Sequence, residues 1–161
     1  MGFACGSDDY AAMMVGNTLF GGSSNSKLFL NVREKLSLCY YASSAYHRQK
    51  RLITVSSGIE FQNYQKPMTR SWPSWPPCRL AAWRTGSWRA PQYAAECLRL
   101  HGRFPGKLEN FYLARRPPDR RTRPELLAEQ VRHVTAERIF DAMQTASLDT
   151  VYFLKGKETA E

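Results

Sequence analysis

Two strand-like stretches joined by a polar turn constrain this chain most. Residues 51–61 place Leu52, Ile53, Val55 and Ile59 among threonines and serines, the two-residue alternation of a half-buried strand. Residues 38–48 have the aromatic and small-residue content of a partner strand, and His47, Arg48, Gln49 and Lys50 supply a polar turn between them. The pair reads as an antiparallel hairpin. A hairpin buries little by itself, so the rest of the chain must cover one of its faces.

The cover is legible as helices. Residues 1–5 are short and apolar and fit a strand. Asp8 or Asp9 can cap a helix running to about Phe20 and burying Ala12, Met13, Val15, Leu19 and Phe20. Gly21 and Gly22 end it. Ser26 then caps a second helix carrying Phe29 and Arg33. Further helical signal lies at 92–101, 107–113 and 124–134, with Pro124 suited to a first helical position. Thr135 caps a last helix over 136–146, and Val151 to Leu154 make a closing strand. Asn63 would cap a helix that Pro67 interrupts. The chain shows no internal repeat. The fold class is α+β: an antiparallel sheet with helices packed on one face.

At 161 residues the chain is one ordinary domain, and 43% hydrophobic content supports a core. No apolar run is long enough to span a bilayer, and the N-terminus lacks a secretory pattern. The expected location is therefore cytoplasmic. Cys5, Cys39, Cys78 and Cys97 form no C-x-x-C pair and read as free thiols.

The net charge of +9 would ordinarily suggest nucleic acid. Its distribution argues otherwise. Residues 70–123 hold 12 basic and 3 acidic residues, so the whole excess sits there and the remainder is neutral. Trp72, Trp75, Trp83 and Trp88 fall in the same window, and all nine prolines lie between Pro67 and Pro124. The anomalous segment 67–124 reads as a frameshift in the coding sequence. Thr69 to Pro77 can be encoded so that a shifted frame gives DEILAQLAA, a strong amphipathic helix. A Trp/Arg-rich nucleic-acid module is the weaker alternative, and a membrane partner is not expected.

Phe29 and Arg33 lie one helical turn apart, and Tyr40 follows where the pattern turns to strand. Arg offers a fork of donors and Tyr a polar tip on an apolar body, a set suited to a peptide backbone. Spacing alone favours an amphipathic surface helix feeding a strand. F-x-x-x-R with Tyr seven residues on, inside LFLNVREKLSLCYYASS, resembles the C-terminal half of the M16 (pitrilysin/insulinase-like) zinc peptidases. The similarity extends through YAAMMVGNTLFGGSSNSKLF and RLITVSSGIEFQNYQK, and returns in PGKLENFYL and PELLAEQVRHVTAERIFDAM. Among bacterial members the chain is most similar to insulinase-like proteins associated with aminopentanol modification of elongation factor P.

The resemblance implies a LuxS/MPP-like metallohydrolase domain, incomplete here because family domains carry further strands before the position of Met1. The chain would be a single partial domain over residues 1–161. The resemblance also implies the non-catalytic half of a clam-shell peptidase. Its own zinc motif, H-x-x-E-H, is absent: His47, His101 and His133 stand singly. No catalytic or metal-binding residue is therefore expected in this chain, and zinc is expected in the partner half. Phe29, Arg33 and Tyr40 would contact a peptide or protein substrate, beside a zinc-bearing M16 half-domain or partner chain. A non-catalytic interaction subunit of an M16-like complex is the alternative.

Overall fold

The computed structural model describes residues 2–30, 39–59, 89–101, 103–113 and 123–154, the side chains of His101 and Asn110 excepted. Arg33, Cys78, the helix expected at Asn63, the four tryptophans and much of segment 67–124 lie outside these residues.

The hairpin forms as its alternation demands. Strand β2 (Cys39–His47) pairs antiparallel with β3 (Leu52–Ile59), from His47 opposite Leu52 to Cys39 opposite Ile59. A single 3-10 turn, Arg48–Lys50, joins them, and Arg51 closes it at φ 48°. That left-handed conformation is uncommon for a residue with a Cβ. Arg51 is tied down on both sides: its carbonyl accepts from Cys5 N–H at 2.8 Å, and its guanidinium pairs with Asp8. Arg48 lies over the Tyr10 ring at 4.5 Å, pinning the turn against the start of the first helix.

Strand β1 (Gly2–Cys5) sits inside the sheet, between β3 and β4 (Ala146–Thr150), giving the order β2-β3-β1-β4 with every pair antiparallel. Phe3, Cys5, Ala42, Ser44, Ile53, Val55 and Ala146 point to the buried side. Ala4, Ser43, Ala45, Ser56 and Ser147 alternate onto the exposed side and are all small. The helices therefore cover one face, as the hydrophobic pattern required.

Helix α1 (Tyr10–Phe20) is apolar on nearly every side and lies between the sheet and the other helices. These are α2 (Ala90–His101), α3 (Pro105–Leu113), α4 (Pro124–Arg132) and α5 (Ala136–Gln144). Leu98, Leu127, Val131, Ile139 and Met143 complete the core against α1. Pro124 occupies the first turn of α4, and Thr135 caps α5 by accepting from Arg138 N–H at 3.4 Å.

Asp9 does two jobs at the start of α1. One carboxylate oxygen accepts from Ala12 N–H at 3.1 Å, and the other accepts from Arg138 Nε and Nη2 at 3.0 and 2.8 Å. The first satisfies an otherwise orphaned helix donor; the second ties α1 to α5. Asp9→Ala should lower stability by about 1–2 kcal/mol, measured by chemical denaturation. Asp9→Asn, which keeps a capping oxygen, should recover most of the loss.

One expectation needs correction. The closing strand is Ala146–Thr150, not Val151–Leu154, and α5 stops at Gln144 to make room for it. The reason is the register with β1. Strand β1 offers four residues, and pairing runs from Cys5–Ala146 to Gly2–Thr150. Residues 151–154 follow the strand, with Tyr152 and Leu154 largely exposed.

Candidate functional site

The connection between α1 and β2 carries the sequence-derived site. Gly21 and Gly22 N–H both donate to Asn17 O, stopping α1. Gly21 O in turn accepts from Ser44 N–H at 3.0 Å, docking the connection onto β2. Ser44 Oγ donates to Asn17 Oδ1 at 2.7 Å, which satisfies a buried hydroxyl. The close approach requires glycine: a Cβ on Gly21 would lie 2.8 Å from Ser44 Cβ and 2.9 Å from Ser44 N.

A helical turn then starts at Lys27. Buried Ser26 caps it, its Oγ accepting from Phe29 N–H at 3.4 Å and its carbonyl from Leu30 N–H at 2.9 Å. Leu28 is buried and Phe29 half-buried. Arg33 lies outside the described residues. Phe29 thus stands just before residues 31–38 and Tyr40 just after them.

Tyr40 owes its position to a β-bulge. Cys39 faces Ile59 while Tyr41 already faces Gly58, so Tyr40 is the extra residue on β2. Simple alternation would turn Tyr40 inward with Ala42 and Ser44. The bulge turns it out instead, and it is 93% exposed. The neighbouring Tyr41 ring lies across Gly58, where a Cβ would stand 2.6 Å from Tyr41 Cε1. The sequence reading missed the bulge; its signal was the glycine inside the alternating run of β3.

Among the described residues no three His, Cys, Asp or Glu side chains converge as a ligand set. His47 Nε2 is 3.0 Å from Thr54 Oγ1, and His133 Nδ1 is 2.9 Å from Glu129 O at the end of α4. The two rings sit on separate elements and serve local hydrogen bonds. Cys5, Cys39 and Cys97 are free thiols. Burial pushes the Cys5 thiol up to about 11, away from thiolate chemistry at neutral pH. No helix among the described residues is long and apolar enough to cross a membrane.

A four-stranded antiparallel sheet with helices on one face, its β2 strand bulged at Tyr40, defines an α+β domain. Comparison with known proteins agrees. Residues 2–70 match the peptidase M16 inactive domain. The chain is 35% identical over 158 residues to a Bacillus subtilis (strain 168) protein named probable inactive metalloprotease YmfF, an alignment covering 94% of this chain and 36% of that one. It superposes on the crystal structure of a conserved protein from Enterococcus faecalis V583 with a TM-score of 0.79 and 26% identity, over 99% of this chain and 39% of the other. The peptidase M16 inactive domain from Pseudomonas fluorescens shares the fold at a TM-score of 0.62 and 17% identity, over 88% of this chain and 36% of that one. The chain spans a little over a third of the length of these relatives. Its similarity in sequence and in fold is to the inactive domains of the peptidase M16 family.

Proposed function

We propose that this domain is the substrate-holding half of an M16-type zinc peptidase, acting beside a half that carries the metal. Phe29, Arg33 and Tyr40 contact the peptide, and zinc and its activated water belong to the partner half. The observation that carries this reading is Tyr40. A tyrosine turned out of its strand by a bulge and 93% exposed presents a phenol donor to whatever lies over the sheet end. Bulges re-aim side chains in this way beside functional sites. The phenol can donate to a substrate carbonyl or to the oxyanion that develops from it. Phe29 supplies an apolar wall, and Arg33 a fork of donors for backbone carbonyls.

The test is reconstitution with a zinc-bearing M16 half and a quenched-fluorescent peptide. Tyr40→Phe removes only the hydroxyl from an exposed side chain, so folding should be unaffected. A decrease in kcat/KM of about tenfold is expected for one lost hydrogen bond. Arg33→Ala should lower it as well. Unchanged rates in both variants would overturn the reading and favour a purely structural subunit.

A further inference from the structure

One face of α1 borders a cavity. Tyr10, Met14 and Thr18 recur every fourth residue, so they lie on one side of the helix. All three are half-buried, whereas Ala11, Met13, Val15 and Leu19 beside them are buried. A space of about 460 Å³ lies over that face, between α1, α2 and α3. Ala94, Cys97 and Leu98 of α2 line it, with Phe111 of α3. Small-molecule sites have volumes of about 300–1,000 Å³ and are mostly apolar, with a few placed polar groups. This cavity has that composition. The rings of Tyr10, Tyr93 and Phe111 and the sulfurs of Met14 and Cys97 all border it. Rings and divalent sulfur both attract a further ring beyond the area they bury. Among the described lining residues only Lys107 is charged. Its ammonium lies 5.2 Å from the Phe104 ring centroid, and no ion pair among the described residues includes it.

We infer that this cavity binds a small planar aromatic carboxylate, one or two fused rings bearing a single carboxyl group. The ring system packs between Met14 and Phe111, and the carboxylate pairs with Lys107 in a charge-assisted hydrogen bond. Two of the neutral hydroxyls on the lining are already engaged. Thr18 Oγ1 donates to Met14 O at 3.0 Å, and the Tyr93 hydroxyl shares a hydrogen bond with the Cys97 thiol. Lys107 is therefore the group that selects an anion. Neither Phe29 nor Tyr40 lines the cavity, so the inference is independent of the peptide-binding reading.

Naphthoate is the probe, added to the full chain and followed by isothermal titration calorimetry. It should bind about fivefold tighter than naphthalenemethanol, the ratio expected of one partly exposed ion pair, and tighter than the fully saturated decalin carboxylate. Lys107 is exposed, and Lys107→Gln should bring naphthoate to the affinity of the alcohol. Met14→Trp should place a ring in the cavity and abolish binding of both. Circular dichroism checks that the two variants fold. Location is read separately, because the free thiol Cys97 lines the cavity and the free thiol Cys39 does not. Saturating naphthoate should slow alkylation of Cys97 by iodoacetamide, followed by peptide mass spectrometry, and leave that of Cys39 unchanged. Equal affinity for naphthoate and the alcohol would overturn the carboxylate class, and equal affinity for the saturated acid the aromatic one. Binding that leaves Cys97 alkylation unchanged would overturn the location. Failure of naphthoate to bind the wild-type chain would overturn the inference while leaving the peptide-binding reading standing.

Discussion

Phe20→Ala is expected to lower the unfolding free energy by about 3–5 kcal/mol, read as a shift of the urea midpoint at unchanged slope. Phe20 is the last residue of α1 and is 2% exposed. It is among the largest side chains buried in the core, beside Met13, Leu28 and Ile53. Truncation loses the transfer free energy of the ring and leaves a cavity that packed neighbours cannot fill. Domains of ordinary stability have only about 5–15 kcal/mol in total. The variant should therefore be close to unfolding at physiological temperature. A loss below about 1 kcal/mol would mean that the end of α1 can collapse around the gap, which the burial of its neighbours argues against.

Gly21→Ala should be nearly as damaging, at about 2–3 kcal/mol, or roughly 4–12 °C in melting temperature for a chain of this size. The added methyl meets Ser44 backbone and side chain at once, at 2.6–2.9 Å. Neither can withdraw without breaking the hydrogen bond from Ser44 N–H to Gly21 O or the one from Ser44 Oγ to Asn17. The same substitution elsewhere gives the opposite sign. Gly106 lies in the first turn of α3 with nothing within 4 Å of an added Cβ, and alanine there should stabilise by about 0.5–1 kcal/mol. A differential scanning measurement on both variants separates a steric requirement at Gly21 from a general intolerance of Gly-to-Ala change. Equal melting temperatures for the two would refute the close approach of Gly21 to β2.

What was legible in the sequence was whatever depends on neighbours in sequence. The hairpin, the caps at Asp9, Ser26 and Thr135, the glycine stop at Gly21 and the proline start at Pro124 are each decided within a few residues. Two features were not, because their causes lie far along the chain. The closing strand was displaced because its position is set by pairing with β1, which brings Ala146 opposite Cys5 and Thr150 opposite Gly2. The orientation of Tyr40 depends on which β3 residue faces Cys39, and alternation along β2 alone points it the wrong way. Of the site proposed on sequence, Phe29 and Tyr40 flank one connection in the fold, while the placement of Arg33 lies outside the described residues.

The place of β1 has a kinetic consequence. A strand at residues 2–5 is flanked by partners at residues 52–54 and 146–150, so the sheet is completed by joining positions far apart in the chain. Pairings of such separation slow folding, because the ordering of a long loop comes before any contact rewards it. Until β4 arrives, one edge of β1 is open, and Phe3 and Cys5 lack the cover they have in the finished core. A folding intermediate holding the hairpin and α1 but not β4 would therefore expose a sticky strand edge, the feature that makes slow β-assembly prone to aggregation.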